Sequence, residues 1–227
     1  MSKPNIVYFI ADQMRSDSLG HLGNPASLTP NFDRLAQREA VSFANAYCQN
    51  PVCVPSRNSF LSGLYPHTTG HRTMHFLQGP EDPNILKEMK NQGYEVIWIG
   101  RNDVIPAGKS KVAYCDEFYD GFDFINKVDG SEKGFSALAS HSGHSPVDPG
   151  PQLYSFYAGK ADGELNSMVK LDWNALQSAL DYLDRKASSS DKRPFFLYIT
   201  LWFPHPPYVC EDPWYSAINR SKLLPRQ

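Results

Sequence analysis

Three short runs dominated by apolar residues limit what this chain can fold into: Asn5–Ala11, Tyr94–Ile99 and Pro194–Leu201. Runs of this length and character are strands buried on both faces of a parallel sheet. Each is followed within a few residues by a side chain able to do chemistry. Asp12 comes directly after the first, Arg101 follows Gly100 after the second, and His205 closes a short stretch after the third. In open parallel sheets, ligands bind outside the carboxyl ends of the strands. Between the runs the pattern changes to helical spacing. Thr29 and Pro30 read as an N-cap and first helical residue, with Phe32, Leu35 and Ala36 on one face. Asn84–Gln92 places Ile85, Leu86 and Met89 together and ends at Gly93. Trp173, Leu176, Leu180 and Leu183 mark an amphipathic helix of about four turns. Val41–Tyr47 alternates loosely and reads as a further strand. The whole predicts an α/β fold with a mostly parallel sheet flanked by helices.

Cys53-Val54-Pro55-Ser56-Arg57, followed by Leu61-Ser62-Gly63, carries the most specific local chemistry. Pro55 suits the first turn of a helix and Gly63 its C-terminal cap. Cys53 therefore sits at a helix N-terminus, where backbone N–H groups and the helix dipole favour negative charge. Arg57, one turn on, reaches the same spot. On residues alone, Cys53 is either this reactive group or a buried cysteine beside a helix cap. Asp12 is a cation ligand or an N-cap; Arg101 reads on residues alone as a salt-bridge partner and His205 as a core histidine.

The stretch resembles the signature of type I sulfatases, Cys-x-Pro-Ser-Arg followed by Leu-Ser/Thr-Gly. Thr29-Pro30-Asn31-Phe32-Asp33-Arg34-Leu35-Ala36, Phe43-Ala44-Asn45-Ala46-Tyr47 and Gly63-Leu64-Tyr65-Pro66-His67 are similar to segments of the same family. So is Phe203-Pro204-His205-Pro206-Pro207-Tyr208. The likeness covers most of residues 4–105 and returns near 194–208. It implies an alkaline-phosphatase-like sulfatase fold and hydrolysis of a sulfate ester. It also implies that a formylglycine-generating enzyme oxidises Cys53 to formylglycine, whose hydrate is the nucleophile. A divalent metal is implied too: Ca²⁺ first, with Mg²⁺ or Mn²⁺ as substitutes, held by Asp12 and the modified Cys53. Arg57 would orient the hydrate, Arg101 would bind the oxyanion, and His205 would assist the leaving group. The family's usual Asp-Asp pair is Asp12-Gln13 here, and its Gly-Lys-x-His is Gly100-Arg101-Asn102-Asp103. Asp103 in place of histidine is a substrate-selectivity candidate. Relatives with the same nucleophile hydrolyse phosphonate or phosphate esters, which is the alternative within the class.

The family's later metal pair, Asp-Asn or Asp-His, occurs nowhere in these residues. The chain of 227 residues thus resembles the N-terminal part of a sulfatase catalytic domain, with the later strands absent. Little or no turnover is expected from it alone, and a non-catalytic truncation is the alternative of another class. Residues 126–165, rich in Ser, Gly, His and Pro, read as a loop insertion; His141 and His144 within it read as solvated. Residues 64–83 read as loop carrying His67, His71 and His75. Net charge is −2 with both signs mixed, so no nucleic-acid or membrane surface is expected. Four cysteines are too few for a disulfide scaffold. The first apolar run meets Asp12 with no small-residue cleavage site, so the expected location is cytoplasmic, or periplasmic or secreted if a leader was removed. An Asn219-Arg220-Ser221 sequon adds little without such a leader.

Overall fold

A computed structural model describes residues 3–106, 109–119, 158–161, 165–206 and 208–223. Its centre is a four-stranded parallel sheet. In chain order the strands are β1 (Ile6–Ala11), β2 (Glu95–Gly100), β3 (Glu117–Tyr119) and β5 (Phe195–Leu201). Their spatial order is β1-β5-β2-β3. A separate ladder pairs β4 (Ala158–Lys160) with β6 (Tyr208–Cys210). The helices are α1 (Pro30–Arg38), α2 (Cys53–Ser62), α3 (Pro66–Thr69), α4 (Ile85–Asn91), α5 (Leu165–Ser188) and α6 (Trp214–Ala217).

Alternation along the strands divides the core in two. Val96, Trp98, Phe196 and Tyr198 face α2 and α4, meeting Leu61 and Leu86. Ile97, Ile99, Leu197 and Ile199 face the other way, onto Ala175, Ala179 and Tyr182 of α5. Burying both faces explains why these strands read as apolar runs instead of alternating ones. The exception is β1. Among the described residues it stands at the edge of the sheet, and its Val7 and Phe9 remain 54% and 43% exposed on the α5 side.

Two expectations, a strand over Val41–Tyr47 and a helix of only about four turns around Trp173, need correction. Val41–Tyr47 forms no strand, and Val41, Phe43 and Tyr47 are all exposed. A strand needs a ladder partner, and the segment has none among the described residues. Helix α1 buries none of its residues, and its Phe32 and Leu35 lie open. Helix α5 runs 24 residues, beginning eight before Trp173. Most of the 126–165 insertion, including His141 and His144, lies outside the described residues; at its described end, β4 and the start of α5 are regular structure. The 64–83 loop is loop apart from the single turn of α3.

Candidate active site

Strand register brings the chemistry together. Ala11 pairs with Leu201, and Gly100 with Thr200. Asp12, Arg101 and Trp202 therefore leave adjacent strand ends within a residue of each other. Gly100 makes the exit of β2 possible. Its φ is +94°, and a Cβ there would lie 2.0 Å from the Thr200 carbonyl oxygen. The Thr200 hydroxyl donates to Arg101 O at 2.8 Å, and Arg101 N donates to Thr200 O at 3.0 Å. The two strand ends are thus tied where Arg101 departs.

Helix α2 delivers Cys53 and Arg57 to the same edge, on one helical face four residues apart. The helix starts at Cys53 without a side-chain cap and ends at Gly63, whose φ of +73° suits glycine. Arg57 is buried, its side chain only 3% exposed. Its Nη2 donates to Asp12 Oδ2 at 3.0 Å, and its Nε lies 3.5 Å from Asp103 Oδ2. Arg101 completes a ring of charge: Nη1 donates to Asp12 Oδ2 at 2.8 Å and Nε meets Asp103 Oδ2 at 2.7 Å. Two guanidinium groups and two carboxylates thus cancel one another in a site mostly closed to water. Charges desolvated to this degree persist only as pairs.

The Cys53 thiol points at Asp12 Oδ1, 3.7 Å away. Burial, and then the neighbouring Asp12 charge, push the thiol up to about 11. At neutral pH it is a protonated thiol and a poor nucleophile in its own right. Alkylation by iodoacetamide at pH 8 is expected to be about 100-fold slower at Cys53 than at a thiol of ordinary pKa, the thiolate fraction falling tenfold per unit. The rate should climb until about pH 11, while exposed Cys48 reacts first. Peptide mapping over time checks this; rapid labelling of Cys53 at neutral pH would contradict it. A cleft of about 350 Å³ opens beside the thiol, lined by Asp12, Gln13, Met14, Cys48, Cys53 and Arg57 among others.

The third strand brings Trp202 and His205. The Arg101 guanidinium carbon lies 4.0 Å from the Trp202 ring centre, and the Trp202 and His205 rings are 5.1 Å apart, edge to face. His205 is buried, with Nδ1 2.7 Å from Pro206 O. A carbonyl only accepts, so Nδ1 carries the proton. Burial, more than the nearby Arg101 charge, holds the imidazole below its ordinary pKa, so the free site contains the neutral ring.

All six residues singled out in the sequence, Asp12, Cys53, Arg57, Arg101, Asp103 and His205, lie at this one sheet edge. Asp103 differs from expectation in its partners: both arginines hold it. Gln13 adopts a left-handed backbone (φ +57°), and its side-chain amide lies 3.4 Å from Tyr208 Oη. His67 stacks on Tyr65, and His71 is buried against Asp82 and Phe76 O, so neither belongs to the site. Sequence reasoning missed Trp202 and Asp172. Asp172 accepts the backbone N–H groups of Trp202 and Phe203.

The donor atoms of Asp12, Cys53 and Asp103 lie within 4.8 Å of one another. Carboxylate oxygens suit a hard divalent cation. Asp103 thus places a second carboxylate within reach of Asp12 and Cys53. A neutral thiol is a poor ligand for such a cation, whereas an oxygen in its place would fit.

Two arginines held by carboxylates around one cysteine, at the carboxyl edge of a parallel sheet, make an arrangement suited to an oxyanion. Comparison with known proteins supplies the family. The Sulfatase family profile matches residues 4–222, and the chain belongs to the sulfatase family. It is 31% identical over 224 residues to an ulvan-active sulfatase of Formosa agariphila, covering 98% of this chain and 40% of that one. An arylsulfatase of Clostridium perfringens is 29% identical, with 98% and 47% covered. The fold is that of the alkaline-phosphatase-like sulfatases. A phosphonate monoester hydrolase of Agrobacterium radiobacter superposes with a TM-score of 0.64 at 20% identity, covering 98% of this chain and 45% of that one. BT4656, solved with D-glucosamine-2-N,6-O-disulfate, gives 0.60 at 19% identity, with 90% and 35% covered. The chain spans a little under half the length of the relatives it matches.

Proposed function

We propose that this chain forms the nucleophile-bearing part of a sulfate-ester hydrolase acting on sulfated saccharides. The observation that carries the reading is the convergence of Cys53, Asp12, Arg57 and Arg101 within one closed cluster. Converted to formylglycine, Cys53 would supply a hydrate with one oxygen for attack on sulfur and a second hydroxyl to release sulfate. The thiol itself, protonated up to about pH 11, is unsuited to that task. Asp12, with Asp103 beside it, would hold a divalent cation, best Ca²⁺, that polarises the sulfate oxygens.

The remaining work falls to the side chains. Arg57, fixed by Asp12 and Asp103, orients the group at position 53. Arg101 offers its guanidinium fork to the sulfate oxygens, its stack on Trp202 limiting its orientations. Neutral His205 gains a proton when a negative ester lies nearby, because an adjacent anion favours the imidazolium. It can then return that proton to the leaving oxygen. Substrate selection through Asp103 is indirect: it sets how far Arg101 can swing towards an anion. A sulfated saccharide is the favoured substrate class because the relatives include an ulvan-active sulfatase and a structure holding a sulfated glucosamine.

The test is a peptide mass spectrum across Cys53 after co-expression with a formylglycine-generating enzyme. Conversion of thiol to aldehyde removes about 18 Da. Loss of that mass at Cys53 is the expected result. An unmodified thiol would put a non-catalytic role first. Hydrolysis of phosphonate or phosphate esters is the second reading. It is favoured by 26% identity to a multifunctional alkaline phosphatase superfamily protein of Trinickia caryophylli, over 99% of this chain. Arginine forks grip either anion, so relative rates on matched sulfate and phosphonate esters, measured in the assembled enzyme, separate the two.

A further inference from the structure

We propose that Asp172 is a positioning residue that sets the placement of Trp202 and, through it, of both Arg101 and His205. The inference rests on the reading of Arg101 as anion grip and His205 as proton donor, and deepens it.

Strand β5 ends at Leu201, where the sheet ladder stops satisfying its backbone. Asp172, on α5, takes over. Its Oδ1 accepts the Trp202 N–H at 2.7 Å and its Oδ2 accepts the Phe203 N–H at 2.9 Å. Both oxygens of one carboxylate are therefore spent on consecutive amides. Such charge-assisted bonds are short and roughly twice as strong as neutral ones. Among the described residues no cation lies within ion-pair distance of Asp172, so the two amides answer its charge at close range, with the Arg101 charge acting from further off. Partial burial raises its carboxyl pKa, and the two N–H bonds oppose that rise.

The loop beyond β5 depends on this anchor. From Trp202 the backbone turns back, His205 N donating to Trp202 O at 3.1 Å. The Trp202 indole then lies between Arg101, at 4.0 Å, and the His205 ring, at 5.1 Å. One carboxylate on a helix thus fixes the backbone from which the shared aromatic spacer projects. The helix beneath it is firmly seated, since Ala175 and Ala179 pack under the sheet within two turns of Asp172.

The chemistry predicts a specific signature. Protons of Arg101 over the face of Trp202 should show upfield ring-current shifts in a proton–nitrogen spectrum of the full chain. In Asp172→Asn the side chain keeps its shape but can accept only one amide. Its NH₂ group opposes the other. The Arg101 shifts should then collapse towards ordinary values and the His205 ring signals should move. Hydrogen-exchange protection of the Trp202 and Phe203 amides should fall roughly tenfold to a hundredfold, the scale of a lost bond to a charged group. Tyr182→Phe is the control on the same helix. It removes the 3.1 Å bond to Glu95 and should leave Arg101, His205 and both amides unchanged. If Arg101 and His205 signals stay put in folded Asp172→Asn, the proposal fails. If that variant does not fold, the wild-type amides decide: exchange of Trp202 and Phe203 at unstructured rates would also overturn it. Because these readouts do not depend on turnover, the positioning role stands or falls separately from the assignment of His205 as proton donor. That assignment is judged by the leaving-group dependence of His205→Ala in the assembled enzyme.

Discussion

Arg57→Ala is expected to destabilise this chain by about 3–5 kcal/mol, the usual cost of removing one partner from a buried charge pair. Arg57 is the most enclosed charge in the site, its side chain 3% exposed against 8% for its partner Asp12. Without it, Asp12 and Asp103 share the single guanidinium of Arg101. Two carboxylates close together in low dielectric raise each other's energy, and one cation cannot answer both. Arg57→Lys should recover only part of the loss, because an ammonium brings the charge but not the planar fork that spans two carboxylates. Urea unfolding of the three proteins measures the effect. A loss under about 1 kcal/mol for Arg57→Ala would mean that water reaches these carboxylates and that the cluster is not closed.

Gly100→Ala should cost about as much, for a steric reason. The residue has φ +94°, where a Cβ is strained by about 1–3 kcal/mol. The new methyl would also meet the Thr200 carbonyl oxygen at 2.0 Å. That atom belongs to the backbone of the central strand and cannot rotate away. Forcing the strands apart adds about 1–3 kcal/mol more, as overpacking does elsewhere. The sum, about 2–6 kcal/mol, predicts a fall in melting temperature on the order of 4–24 °C for a domain of this size. A fall below about 2 °C would show that the ends of β2 and β5 separate easily. It would also undercut the tie that aims Arg101.

The sequence made the sheet legible because three strands are buried on both faces, and burial writes itself as an apolar run. It made α2 legible because Pro55 and Gly63 mark its ends. The site was legible where residues follow strand ends, as with Asp12, Arg101 and His205, since the fold class alone puts those positions together. Val41–Tyr47 misled because alternation shows what a strand would look like, not whether a partner strand exists. Helix α1 was legible from Thr29, Pro30 and its apolar spacing, although spacing shows a face and not what covers it. Asp172 could not be read, because an acidic residue on an amphipathic helix is ordinarily a solvent-facing charge. Only the three-dimensional meeting of α5 with the end of β5 gives it two amides to bind. Asp103 stands out in the sequence as a departure from the family's pattern, but its pairing with both arginines depends on the turn at Gly100.

The exposed outer face of β1 has a consequence for motion. Asp12 is held in place by a strand whose one ladder partner among the described residues is β5, and which carries two open apolar side chains, Val7 and Phe9. Segments with few buried contacts open locally at lower free energy than the rest of a protein. Amides of β1 should therefore exchange with solvent before those of β5, and each such opening takes Asp12 away from both arginines. Whatever shields Val7 and Phe9 raises the free energy of that opening. Occupancy of a surface on the far side of the sheet is in this way coupled to the fraction of molecules whose charge cluster is intact, without contact between the two.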